Sequence, residues 1–113
     1  MTVNQLIETA LKEIVPDIWP LCCPEERPPD EFIVYNPEIE EVVMYGDNED
    51  LAWACYMQVH LYTRHDYSEQ RVRIRKALRK AGFMITDIET MYEKDSRYYH
   101  LCFSCNIEED MEE

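Results

Sequence analysis

Apolar residues in this chain recur first at helical spacing, then at alternate positions, then at helical spacing again, and alternate once more near the end. Leu6, Ile7, Ala10, Leu11 and Ile14 mark one face of a first helix, capped by Thr2 or Asn4 and ended at Val15-Pro16. Two short strands are predicted next: Glu31 to Asn36, closed by Pro37, and Glu40 to Tyr45, followed by the turn-forming Gly46-Asp47-Asn48. In the clearest strand Trp53, Cys55, Met57, Val59 and Leu61 alternate with Ala54, Tyr56, Gln58, His60 and Tyr62. One face of it is core and the other is mixed.

A second helix is predicted to begin near Asp66, with Glu69 completing a capping-box pattern, and to stop at Gly82. Ile74, Ala77, Leu78 and Ala81 form its buried stripe. Phe83 to Glu93 and Arg97 to Glu108 read as two further strands around a tight turn at Lys94-Asp95-Ser96. Tyr99, Leu101, Phe103, Cys105 and Ile107 alternate toward the core of the last strand. The order is α-β-β-β-α-β-β. It predicts an α+β fold, one domain over residues 1–108, with a mixed, largely antiparallel sheet and the helices packed against it. Residues 16–30, which hold five prolines and the vicinal Cys22-Cys23, read as an irregular connector, and 109–113 as an acidic disordered tail.

Composition refines this picture. A chain of 113 residues, 46% of them hydrophobic, can bury a continuous core without a metal or disulfides. The five cysteines form no convincing disulfide framework and are expected as free thiols. No apolar run approaches the roughly 20 residues that span a bilayer, and Met1 to Ala10 lacks the features of a signal peptide. The expectation is a protein that neither carries a signal peptide nor sits in a membrane.

A formal net charge of −13 argues against ordinary nucleic-acid binding by phosphate neutralisation. The charge is also unevenly placed. Six of the eleven basic residues, Arg71, Arg73, Arg75, Lys76, Arg79 and Lys80, share one ten-residue stretch, whereas Glu108 to Glu113 is almost wholly acidic. A dipolar subunit follows, which reads either as a solvated basic helix face with a frayed acidic tail or as a surface for head-to-tail contact between copies. Tyrosine is enriched where subunits meet, so the interface residues expected are Arg71, Arg73, Arg75, Arg79, Tyr62 and Tyr98.

The two glycines leave no scaffold for a phosphate loop, and there is no Gly-x-Ser-x-Gly turn, so no catalytic residue and no cofactor is assigned. His60, His100 and Cys102 all fall on the non-core faces of their strands. If those strands are neighbours, the three side chains could converge on a soft transition metal; packing across strands is the alternative. Cys102 and Cys105, three apart on a strand, face opposite ways and do not form a redox pair.

Three stretches, Tyr56-Met57-Gln58-Val59-His60-Leu61-Tyr62-Thr63, Ile74-Arg75-Lys76-Ala77-Leu78-Arg79-Lys80-Ala81-Gly82-Phe83 and Tyr92-Glu93-Lys94-Asp95-Ser96-Arg97-Tyr98-Tyr99-His100-Leu101, carry a resemblance. Together they resemble the tail terminator and tail completion proteins of siphophages and prophages of Gram-positive bacteria, which share the fold of the lambda-type tail terminator. The proline-rich, cysteine-containing segment Val15 to Asp30 departs from the group pattern, as does Arg97, where the group has a small residue. The resemblance implies a non-enzymatic protein that forms a ring, a hexamer being one form, on the tail tube. Such a ring halts polymerisation and offers a surface to head-tail connector proteins. It also implies assembly in the host cytoplasm, a final place at the tail-neck junction of the virion, and DNA that passes through without specific binding. Another neck protein, or an acidic DNA-mimic inhibitor, is the alternative reading.

Overall fold

Thr2 begins the first helix with both halves of a capping box: its hydroxyl accepts from the Gln5 amide at 3.1 Å, and Gln5 Oε1 accepts from the Thr2 amide at 2.9 Å. Thr2→Ala should therefore cost about 1 kcal/mol of unfolding free energy by urea titration, and an unchanged midpoint would refute the cap's contribution. The computed structural model describes residues 1–45 and 50–110. Helix α1 (Val3–Leu11) ends one turn before Pro16, because a residue preceding proline is pushed out of the helical region.

The remaining elements are β1 (Ile18–Pro20), β2 (Glu31–Tyr45), β3 (Asp50–Thr63), α2 (Ser68–Lys80), β4 (Met84–Glu93) and β5 (Tyr98–Asp110). They form one sheet in the order β1-β2-β3-β5-β4, parallel between β1 and β2 and antiparallel elsewhere. The order α-β-β-β-α-β-β thus holds, though two of its members differ from those expected. The strands expected at Glu31 to Asn36 and Glu40 to Tyr45 are one long strand, β2, continuous through a bulge between Pro37 and Ile39. The third comes from inside the connector, where Ile18 to Pro20 pair with Ile33 to Tyr35.

Two boundaries also move. Tyr67, not Asp66, is the N-cap of α2 and makes no side-chain cap, so the Asp66/Glu69 capping box does not form. Asp66 Oδ1 instead accepts from the Ser68 amide at 3.0 Å, a bond that holds its carboxyl below the usual range. At the far end β5 continues through Glu109 and Asp110, opposite Trp53 and Ala52, two residues into the stretch read as a tail. Met111 to Glu113 and the turn at Gly46-Asp47-Asn48 lie outside the described residues.

Gly82 closes α2 as expected. Its amide donates to Arg79 O and that of Phe83 to Leu78 O, both at 3.0 Å, the paired bonds of a Schellman motif, with Gly82 at φ 106°. The turn between β4 and β5 places Arg97 at φ 65°, which accounts physically for the preference for a small residue at that point.

Both helices pack on one face of the sheet. Ile7, Leu11, Ile74 and Leu78 meet Ile33, Tyr35, Val59, Leu61, Leu101 and Phe103 there, all fully buried or nearly so. Buried Tyr35 donates its hydroxyl to Glu8 across this layer. On the opposite face the connector covers one end, where Phe32, Val34 and Tyr98 are buried with Trp19, Cys23 and Tyr62 at their margin. The molecule is elongated, 52 × 24 × 24 Å. β4 pairs with β5 only as far as Asn106, so β2, β3 and the end of β5 continue past it as a three-stranded arm.

Candidate functional site

The alternation that buries Leu61 and Leu101 under the helices turns Tyr62, His60, His100 and Cys102 to the other face. Across that face the register sets Phe32, Tyr62 and His100 in one row and Val34, His60 and Cys102 in the next. The first row stacks: the Phe32 and Tyr62 rings lie 4.9 Å apart at 14°, and Tyr62 and His100 lie 4.2 Å apart at 18°. Tyr62 is therefore held in the middle of a stack, half-buried.

The two histidines bond to each other, His60 Nδ1 to His100 Nε2 at 2.8 Å. His60 Nε2 meets Asn36 Oδ1 at 3.1 Å, and His100 Nδ1 meets Glu93 Oε2 at 3.3 Å. A polar row Asn36-His60-His100-Glu93 thus crosses β2, β3, β5 and β4. Burial lowers the pKa of both rings; the His100 charge lowers His60 further, while Glu93 partly offsets the effect at His100. Cys102 lies directly opposite His60, its thiol pushed up by burial and then by Glu89. All four ring nitrogens are occupied by these partners, and among the described residues no group of three or more His, Cys, Asp or Glu side chains is placed to hold a metal ion. Asn36 and Glu93 had no signal in the sequence, since only the strand register brings them to the histidines.

Tyr98 sits in the aromatic cluster, 5% exposed, donating its hydroxyl to Pro29 O at 2.6 Å. The Arg64 guanidinium lies 4.0 Å over its ring and also pairs with Asp30 at 2.9 Å, so this tyrosine ties the connector to the last hairpin. The structure places it inside the chain and not on a surface open to a partner.

The four arginines of α2 divide. Arg73 is exposed and donates to Gln70 Oε1 at 3.2 Å, and Arg71 is half-buried. Arg75 and Arg79 line one wall of an open groove of about 780 Å³ whose floor and far wall are Gly82 to Ile88. Neither has a carboxylate within ion-pair distance among the described residues. Met84, 66% exposed, stands at its rim and also borders a smaller hollow with Gly82, Asn106 and Ile107. The arm carries the opposite character: exposed Glu38, Glu40 and Glu41 surround Ile39 and Val42, which are 49% and 47% exposed, with Trp53 across from Val42.

No family model and no curated protein matches the sequence. No helix among the described residues is long and apolar enough to cross a membrane. Among solved structures the chain is similar to one from the virion of a native gene transfer agent particle, with a TM-score of 0.58 over 96% of this chain and 87% of that one. At 6% identity this likeness is one of fold.

Proposed function

We propose that this chain is a structural component of a phage-type virion, and within that class a tail terminator that forms a ring on the end of the tail tube. The observation that carries the reading is the fold it shares, over nearly its whole length, with a chain of a gene transfer agent virion. The three stretches that resemble tail terminators support the narrower part: they supply β3, α2 and the hairpin of β4 and β5, so the resemblance falls on the frame of the fold.

The role is architectural. It asks for two complementary surfaces on each subunit, because a ring of identical copies joins one patch to a different patch on the neighbour. A strongly negative subunit, −13 by formal count, also gives a ring that repels phosphates and lets DNA pass without adhering. No step requires a catalytic group or a cofactor.

The test is electron microscopy of particles made after deleting the gene from the phage or prophage that carries it. Overlong tubes without heads are expected, since unregulated tube growth produces them. Tails of normal length beside unattached filled heads would move the role to the joining step. Normal infectious particles would refute the proposal.

A further inference from the structure

Each subunit carries a protruding acidic arm with exposed apolar residues and, elsewhere, a cationic groove with an apolar rim. We propose that the arm of one copy docks in the groove of the next, Val42 and Trp53 against Met84 and Ile88, with Glu40, on the same face of β2 as Val42, facing Arg75 and Arg79. This rests on the ring reading above and names the contact that would build the ring.

Four observations converge on it. First, charge complementarity: in a chain of net charge −13, copies repel at long range, and α2 is the segment that concentrates positive charge. Arg75 and Arg79, without an ion-pair partner among the described residues, supply that charge at the groove. Second, apolar surface: Ile39, Val42, Trp53 and Met84 are exposed large hydrophobic side chains gathered on these two features. A charged rim around an apolar centre is the usual anatomy of a protein interface.

Third, reach. From Ile39 to Tyr45 the arm extends about 23 Å at roughly 3.3 Å per residue, enough to leave its own helices and cross onto a neighbour. Fourth, backbone: among the described residues β4 is a sheet edge throughout, and β2 has no partner on its outer side beyond Tyr35. Unpaired edges of this kind invite covering by another chain. Arm and groove are different surfaces, so the contact is heterologous: it closes into a ring if the rotation allows and never stops at a symmetric dimer.

The experiment uses sedimentation of the purified full chain across a concentration series, at low and at high salt. The wild type is expected to form closed assemblies that weaken as salt rises. Arg75→Glu with Arg79→Glu, and separately Glu40→Arg, should each weaken association by about 10-fold or more, since like charges then face each other. All three positions lie at the surface or half-exposed, so circular dichroism should show both variants folded.

Two outcomes separate this contact from a general effect of charge. An equimolar mixture of the two variants should assemble again with alternating subunits, because the acidic arm of one meets the arginine groove of the other and the arginine arm meets the glutamate groove. All three exchanges in one chain should likewise restore the wild-type assemblies. A wild type that stays monomeric throughout the series would overturn the proposal, as would variants that assemble normally or a mixture that stays monomeric. Retention of a DNA duplex by a monomeric wild type, lost in the arginine variant, would assign the groove to nucleic acid. A ring with no place in a virion would pass this test and fail the deletion, whereas a terminator joined through another surface would do the reverse.

Discussion

Replacing Phe103 with alanine is expected to lower the unfolding free energy by about 3–5 kcal/mol. Phe103 is fully buried on β5, which is flanked by β3 and β4, directly across from Val59 and Ile88, and it belongs to the cluster beneath both helices. Removing the ring loses its transfer free energy and leaves a cavity that strands paired on both sides cannot collapse to fill. A domain of this size is stable by roughly 5–15 kcal/mol, so the variant should be marginal at 37 °C while Phe103→Leu loses only about 1–1.5 kcal/mol. Met84→Ala is the contrast: exposed at the groove rim, it should stay within about 0.5 kcal/mol of wild type. Urea titration of the three variants measures the ranking, and a Phe103→Ala loss comparable to that of Met84→Ala would mean that the core lies elsewhere.

That core was legible because period-two alternation needs no knowledge of partners. The residues expected to face inward on β3 and β5 include Cys55, Met57, Val59, Leu61, Leu101, Phe103 and Cys105, and all seven are buried in the main cluster. β2 defeated the same reasoning for a local reason. Glu38 is the extra residue of its bulge, so odd positions such as Ile33 and Tyr35 face the helices before it and even positions such as Val42 face that way after it. A strand whose alternation inverts midway, at a proline, looks like two strands. β1 is three residues long, too short to show any period, and exists because Ile33 and its neighbours offer a parallel edge.

The surfaces were legible in part. The sequence placed His60 and His100 on one face, which is what the pleat guarantees, but their mutual bond is diagonal and depends on the offset that sets Tyr62 opposite His100. Tyr98 shows the opposite limit. Its strand position gives the outer face, and nothing local reveals that Pro29, sixty-nine residues away, folds back to cover it. The groove joins a helix face to a strand edge and the arm owes its reach to where β4 stops, so both are products of topology that no single segment encodes.

The histidine pair yields the second large effect: acidification from about pH 7.5 to 5.5 should destabilise the protein, with a slope that can approach 1.4 kcal/mol per pH unit for one ring kept neutral. The proton inventory explains which ring resists. The Asn36 amide nitrogen donates to Pro37 O at 3.2 Å, so its oxygen faces His60, and His60 Nε2 must carry a hydrogen. His60 Nδ1 then accepts from His100 Nε2. A proton added to His100 can reside on Nδ1 beside Glu93, but a second, added to His60, sets two N–H groups head-on and two cations in contact.

The sign follows from the lowered pKa of both rings. Below the ordinary histidine value of about 6.5 the unfolded chain binds protons that the folded chain resists, so stability is complete above that pH and falls as pH drops beneath it. The many carboxylates act in the opposite direction, because neutralising them relieves self-repulsion, but their usual range lies near pH 4 and the window chosen stays above it. His60→Gln keeps a side-chain amide for Asn36 and removes the ring that must stay neutral. Its stability should change less between the two pH values than that of wild type, and parallel profiles for the two proteins would place the pH dependence outside the pair.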